Sequence, residues 1–293
     1  MVVLDIVVKR FSEFGLPLSY NESIIPGDAT TLFVTAGMQP LKKKFTSQDH
    51  TGMGTVQSCL RTSDLDSVGD GQHLTFFCML GSFGFGTYNY ELHVELWSAI
   101  LKDLRLSPLT IHVHPSSTHR RLWEVRGYSI LDNSECLWSD GEIGGYCSEV
   151  FYNTLEVGNL VNPLEHSVDV GFGMERLVQL VEGKSRVDET GLFRQDLDPI
   201  SRDHFRALST LYEQGVKPGN KRREYVCRRL LRRFVRLNSQ IDSCPFAEWV
   251  EAERELLDAV LQKARRYYRR NGVQTAAFWW DTFGLLPEEI VLL

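Results

Sequence analysis

SVDVGFGMERLVQ, residues 167–179, changes its period half-way along. Val168 and Val170 alternate with Ser167 and Asp169, the period of a β-strand. Met174, Leu177, Val178 and Val181 then recur at i, i+3, i+4 and i+7, the apolar stripe of an amphipathic helix. Gly171 and Gly173 lie between and predict a break, so the stretch is expected to run strand, glycine turn, helix. Such a turn lets a ligand lie against bare backbone and aims amides at an anion. Asp169 falls on the strand just before the turn. Arg176 falls in the first two turns of the helix, away from the apolar stripe. A carboxylate and an arginine facing a glycine shelf suit a ligand with an ammonium end and a phosphate end. A glycine turn into a helix is equally common as plain α/β packing, so the rest of the chain has to decide.

The 293 residues are 43% hydrophobic and 24% charged, ordinary globular composition with room for one large domain or two. No run of eighteen apolar residues is present, so no membrane span is expected. Asp5 interrupts the apolar N-terminus, which lacks the small-residue cleavage site of a signal peptide. The six cysteines are scattered with no CxxC pair. Reduced thiols in a cytoplasmic protein are therefore expected, with neither a zinc site nor a disulfide framework indicated. The net charge of −6 hides an asymmetry. Residues 200–293 carry 17 Lys and Arg against 12 Asp and Glu. A basic C-terminal third on an acidic body suggests a polyanionic partner for that third.

Working outward from the decisive stretch, residues 155–161 (LEVGNLV) read as the preceding strand and bring Asn159 into the sheet. Residues 137–153 read as a glycine-rich floor carrying Asp140, Glu142 and Glu149, with Glu149 opening a strand. Such a floor can hold Mg²⁺ through carboxylate and phosphate oxygens, or be an ordinary turn. Residues 31–34 and 56–60 read as strands, the second ending at Arg61. A polar loop, 62–72, then leads into a returning strand over 73–85, which the glycines at 81, 84 and 86 are expected to break. Phe76, Phe77, Phe83 and Phe85 are mostly core, although one could stack on a flat ring. Residues 2–14, 90–104 and 118–127 read as helices. His112 and His114 share a face of a strand at 110–115, but with no third ligand nearby a structural role is expected.

Beyond Phe193 the chain turns helical, over 199–213, 223–237 and 249–270. Arg228, Arg232 and Arg236 recur at i, i+4 and i+8, with Arg229 and Arg233 beside them. No acid is interleaved. Such a face repels itself unless an anion covers it, and a phosphate backbone is the natural candidate; a merely solvated basic helix is the alternative. The terminal AAFWWDTFGLLPEEIVLL reads as an aromatic strand or turn holding Asp281.

Taken together, an arginine-ended strand with its returning strand, a glycine-rich floor and a strand–glycine–helix with arginine resemble the class II aminoacyl-tRNA synthetases. The phrases are most similar to the alanyl-tRNA synthetase catalytic region. They are LFVTAGM (32–38), CLRTSDLDSVG (59–69), HLTFFCMLGSFGFG (73–86), DGEIGGYCSEVFY (140–152), SVDVGFGMERL (167–177), GVKPGNKRREYVCRRLLRRFVR (215–236) and FWWDTFGLLP (278–287). The resemblance covers almost the whole chain. It implies an α+β fold, an antiparallel sheet flanked by helices, as an adenylate-forming catalytic domain over 1–196. An abbreviated helical tRNA-binding domain over 197–293 would follow. The implied activity is that of an AMP-forming ligase. It activates alanine or another small amino acid with ATP and Mg²⁺ and transfers it to the 3′ end of tRNA.

Under the resemblance, Arg61 and Arg176 are the catalytic residues. Arg61 holds the α-phosphate and the amino-acid carboxylate, and Arg176 holds the γ-phosphate. Phe77 and Gly173 complete the ATP site. Asp169 takes the α-ammonium, with Asn159 and Gly171 beside it, and Met79 and Val161 keep the pocket small. Asn220 and Asp281 match positions that read an acceptor-stem G·U pair. Arg222, Arg228, Arg229, Arg232 and Arg233 supply phosphate contacts. No residue is implied as a permanent metal ligand. The family's editing and C-terminal segments have no counterpart here, which implies a short stand-alone form. The loop after Arg61 is short, Thr35 stands for an asparagine, Gln72 stands for an arginine, and the pocket tryptophan aligns with Cys136 or Trp138. These departures leave open a paralogue that passes the same adenylate to a carrier protein or a small molecule. A pure tRNA binder has no use for Arg61, Asp169 and Arg176.

Overall fold

A computed structural model describes residues 2–27, 31–46, 50–86, 89–139, 141, 143–163, 167–238 and 243–293, apart from the side chains of Asp281 and Glu288. Asp140 and Glu142, two carboxylates of the expected floor, lie outside the described residues. The chain forms two compact units, Met1–Asp203 and His204–Leu293.

The first unit is built on one sheet. Its strands are β1 (Leu18–Asn21), β2 (Thr51–Leu60), β3 (Phe76–Phe85), β4 (Thr110–Val113), β5 (Ser129–Asp132), β6 (Leu137–Ser139), β7 (Gly144–Tyr152), β8 (Leu155–Val161) and β9 (Val168–Gly173). They lie in the order β1-β2-β3-β9-β8-β7-β4-β5, with β6 paired to β7 off that path. Every pairing from β2 across to β4 is antiparallel, and only the two edge pairings, β1–β2 and β4–β5, are parallel. The fold is the expected α+β arrangement, an antiparallel sheet flanked by helices.

Strand alternation divides the sheet into two faces. Leu80, Val150, Leu160, Val168, Val170 and Phe172 point one way and are buried. They pack with helices α1 (Val2–Glu13), α3 (Tyr90–Asp103) and α5 (Met174–Val181) in one apolar core. Phe172 stacks on Trp97 of α3 with ring centroids 4.0 Å apart. Each such side chain taken out of water contributes about 1.5–3 kcal/mol. The same core holds a small polar knot: Trp97 Nε1 donates to Ser82 Oγ at 2.8 Å, and His93 Nδ1 lies 2.9 Å from the same oxygen. Burial pulls His93 down to about 4, so it sits there neutral. The opposite face of β3, β9 and β8 carries Phe77, Met79, Asp169, Gly171, Gly173, Asn159 and Val161, which is where the binding residues were expected.

Several local expectations are corrected. β9 does not break at Gly171; it runs through Gly173, whose extended φ −71° and ψ 115° lead straight into α5. No strand forms over 31–34; that segment is instead tied down by Val34, which donates to Ile24 O and accepts from Leu60 N–H, both at 2.8 Å. Gly81 and Gly84 do not interrupt β3, because the register with β2 is unbroken from Phe76 to Phe85. Gly144, Gly145 and Glu149 lie inside β7 rather than in a turn. The helix expected over 118–127 is the short α4 (Arg120–Glu124). Between these elements lies one further short helix, α2 (Lys42–Phe45).

Gly145 is needed for a close approach: a Cβ there would lie 1.7 Å from the main-chain oxygen of Asn162. Backbone cannot swing away as a side-chain tip can. Gly145→Ala is therefore expected to destabilise by at least the about 1–3 kcal/mol of an overpacked site, read as a lowered urea midpoint of the full chain.

The second unit holds the C-terminal part of α6 (Pro199–Glu213), then α7 (Arg222–Leu237), α8 (Ala247–Asn271), α9 (Ala276–Phe283) and α10 (Pro287–Ile290). Phe234 packs edge-on against Phe246 at 5.5 Å. Trp279 anchors a second cluster with Leu257, Leu261, Ala264 and Leu285. The terminal aromatic run is thus a helix rather than a strand or turn. Thr275 caps it by accepting from Phe278 N–H at 3.1 Å, and Gly284 closes it in the left-handed conformation. Among the described residues no helix is long and apolar enough to cross a membrane.

Candidate active site

A cleft opens on the face of β3, β9 and β8 opposite the apolar core. Arg61, Phe77, Met79, Asn159, Gly171, Gly173 and Arg176 all line it. Four separate segments of sequence therefore meet in one place.

Each arginine is held before any ligand arrives. Arg61 follows the last residue of β2, and its main-chain N–H donates to Thr75 O at 2.8 Å. Its Nε donates to the main-chain oxygen of Thr35 at 2.9 Å. Its guanidinium lies over the Phe77 ring, 5.0 Å from the centroid, a cation–π contact. A carbonyl receives the Nε, so threonine serves at position 35. Arg176 donates to Glu156 O at 2.6 Å, and the Glu156 carboxylate stands 3.8 Å from the same guanidinium nitrogen. Burial pushes Glu156 up, opposed by the Arg176 charge. Neighbouring Glu175 is buried, and both its oxygens accept from Cys78 N–H, at 3.1 and 3.0 Å, which pins the start of α5 to β3.

The other end of the face is more apolar. Asp169 pairs across the sheet with Phe83 on one side and Val161 on the other. Desolvation raises its carboxyl to about 7. Gly171 pairs with Gly81 and Asn159. A Cβ at Gly171 would meet Met79 Sδ at 3.0 Å, so the glycine makes room for that side chain. Met79 is fixed in turn, its Sδ accepting from Gly37 N–H at 3.2 Å. Val161 is buried. Asp169 does not line the cleft itself; it lies on the same face, four residues up the strand from Gly173.

The basic helix needs correction. Acids do meet its arginines, from other helices of the same unit. Glu253 of α8, its side chain 3% exposed, lies 2.7 Å from Arg232 Nε and 3.2 Å from Arg228 Nε. Arg232 also donates to Gly284 O at 2.6 Å and lies 3.7 Å from the buried Glu289. Arg228 donates to Asn220 Oδ1. Arg233 is buried and Arg229 half-buried, while Arg222 is exposed. Arg228 and Arg232 thus have their anion within the protein. Asp281 lies on α9, and its side chain is outside the described residues. His112 and His114 stack on Phe151 and Tyr146, at 4.1 and 4.4 Å between centroids, in keeping with a structural role.

The model of the family described as class II (A) tRNA synthetases matches residues 11–162 and 151–266. The chain belongs to that family. Curated relatives of it include an alanine–tRNA ligase of Tropheryma whipplei, 31% identical over 80% of this chain and 33% of the relative. An alanine–tRNA ligase of Rubrobacter xylanophilus is 32% identical over 78% of this chain and 36% of its own. The chain spans about a third of the length of these relatives. A solved pyrrolysyl tRNA synthetase of Desulfitobacterium hafniense overlays on 64% of this chain and 70% of its own, with 15% identity and a TM-score of 0.45.

Within this class II frame, Glu156, Glu175 and the Gly37 amide were not singled out from the sequence. Glu156 and Glu175 sit next to arginine-bearing or glycine-rich phrases, but nothing in their spacing announces what they touch. The acidic partner of Arg228 and Arg232 lies more than twenty residues away and has no local signature.

Asp169 yields a pH prediction. Its folded-state value is above the ordinary carboxylate value of 3.8. Stability from this group is therefore full below that ordinary value and is lost as pH rises through about 7. Asp169→Asn should raise the Tm of the ligand-free chain at pH 8 relative to pH 4, compared with the parent. A lowered Tm at pH 8 contradicts a desolvated carboxylate.

Proposed function

We propose that the cleft condenses a small amino acid, with alanine first in line, and ATP into an aminoacyl-adenylate, and that the aminoacyl group then passes to the 3′ end of a tRNA. The observation that carries this is the order of charge along one sheet face: the half-buried carboxylate of Asp169, bare glycines, then two preset arginines. An α-ammonium fits Asp169, with Asn159 beside it. Met79 and Val161 leave room for a small side chain. Phosphates fit between Arg61 and Arg176. The reaction is in-line attack of the amino-acid carboxylate oxygen on the α-phosphorus. The bond to the bridging oxygen breaks, and pyrophosphate leaves. Positioning and positive charge supply most of the acceleration, with no acid–base residue required.

Mg²⁺ would lower the charge of the triphosphate when bound. Among the described residues, Glu156 and Asp64 are the cleft carboxylates whose oxygen chemistry fits it, while Glu175 accepts from the Cys78 amide. We assign residues 1–196 to adenylation and 197–293 to tRNA, acting in the cytoplasm. Exposed Arg222, Arg266, Arg269 and Arg270 offer phosphate contacts of the second unit. Asn220, Arg229 and Asp281 remain in that proposal, whereas Arg233 is buried and Arg228 and Arg232 shape the helix pair that presents them.

The test is amino-acid-dependent ATP–pyrophosphate exchange across the twenty amino acids, followed by transfer of labelled amino acid to tRNA. Exchange with alanine and acid-stable label on tRNA are expected. Exchange without transfer would move the acceptor to a carrier protein or small molecule, and no exchange would sink the reading. Because Asp169 must be ionised to hold an ammonium, the KM for the amino acid should fall as pH rises through about 7, with the KM for ATP unchanged.

A further inference from the structure

One cluster on the ligand face takes no part in the chemistry above. Cys136, just before β6, accepts a main-chain hydrogen bond from Cys147 of β7 at 3.0 Å. Glu149 follows on the same face of β7, two residues on. One ligand atom from each of the three lies within 4.8 Å of the other two. Both thiols are buried, the carboxylate is half-buried, and both cysteines are free. Cys147 pairs across the sheet with Val161, and Val161 pairs with Asp169; Glu149 pairs with Asn159. The cluster is therefore one strand away from the amino-acid end of the cleft, on the same side of the sheet.

We propose that Cys136, Cys147 and Glu149 form a zinc site with its fourth position open toward the amino-acid end. Two thiolates and a carboxylate match the ligand preference of Zn²⁺, and three protein ligands leave a place for water or substrate. Bonds of about 2.3 Å to sulfur and about 2.0 Å to oxygen in a tetrahedron place two sulfurs about 3.8 Å apart and a sulfur and an oxygen about 3.5 Å apart. Cys147 Sγ already lies 4.0 Å from Glu149 Oε1. All three ligand atoms lie within 4.8 Å of one another, so a contraction of at most about 1.3 Å at any pair forms the site. Without a cation, burial holds the Cys136 thiol up at about 12, so the pair waits in the neutral form. Binding releases both thiol protons to solvent, and two thiolates and one carboxylate then surround the dication. The open position takes a neutral donor, either water or the hydroxyl of a small amino acid. That last point rests on the amino-acid site proposed above.

The test uses the full chain. Zinc is measured by elemental analysis after dialysis, and Co²⁺ is substituted to read thiolate-to-metal absorption. One equivalent per chain is expected, with both signals lost in Cys136→Ser and Cys147→Ser. Glu149→Gln changes a half-exposed side chain, so its fold should persist. Its zinc affinity should fall by more than the about 10–100-fold typical of outer-shell changes. Substoichiometric zinc, unchanged binding in Glu149→Gln, or a Cys136–Cys147 disulfide seen by mass spectrometry would overturn the site. L-serine should shift the Co²⁺ spectrum, with L-alanine shifting it less; no shift with either overturns the open position. Zinc without pyrophosphate exchange would sink the adenylation proposal and leave the metal site standing, and exchange without zinc would do the reverse.

Discussion

Arg61→Ala should lower amino-acid-dependent pyrophosphate exchange by about 10²–10³-fold, the usual loss when one preorganised donor to a developing charge is removed. The size follows from how the side chain is held. Nε is committed to Thr35 O, and the ring of Phe77 lies beneath the guanidinium. The two terminal nitrogens are thereby left for an anion, in a fixed plane. Lysine lacks the Nε–H and the flat face, so Arg61→Lys should lose most of the activity as well. Phe77→Ala should cost less, because the Thr35 anchor remains. Circular dichroism should match the parent in all three. Exchange unaffected in Arg61→Ala would remove this residue from the reaction and, with it, the placement of the phosphates.

Glu253→Ala should destabilise the chain by about 3–5 kcal/mol, the range for breaking a buried pair by deleting one partner. Glu253 is 3% exposed and serves two guanidiniums, with Arg232 only 14% exposed. Deleting it leaves two cations against one another in a helix interface. Glu289 lies 3.7 Å from Arg232 and already accepts from Leu286 N–H at 2.8 Å, so it is a poor substitute. Glu253→Gln should fall between, keeping hydrogen-bond acceptance without the charge. Glu251→Ala, on a side chain 68% exposed, serves as the control and should stay within about 0.5 kcal/mol. Urea unfolding followed by tryptophan fluorescence reads all three. Equal midpoints for Glu253→Ala and Glu251→Ala would mean that α7 and α8 are held by their apolar stripes alone.

What could be read from the residues follows a physical line. The change of period at Val170–Met174 exposed the strand and helix that organise the cleft, and alternation in β8 put Asn159 on the right face. Arg61 was visible because a strand ended at it. Short strands escaped: β1 and β6 have too few residues to show a period, and the partner that holds β1 lies far along the chain in β2, whereas β6 pairs with the nearby β7. Missing β6 hid the meeting of Cys136 with Cys147, since only the register brings those thiols together. Helix α9 was misjudged because Phe278, Trp279 and Trp280 favour strands on average. Its capping residues, Thr275 and Gly284, were the better signal. The arginines of α7 were judged from their own helix, whereas the acid that neutralises two of them comes from another.

The unbroken passage of β9 into α5 acts as a ruler. Asp169 and Gly173 are joined by extended backbone with no hinge, which at about 3.3 Å per residue sets them about 13 Å apart. Under the proposed function, a loop at that point would let the ammonium anchor drift relative to the phosphate anchor. Under that proposal the interval between the two ends of the ligand is set by covalent geometry. Side chains at Met79, Val161 and Asn159 can then change the breadth of what is accepted while its length stays constant. Selectivity and reaction geometry are therefore separable in this architecture, and a descendant could acquire a new amino acid without rebuilding its phosphate end.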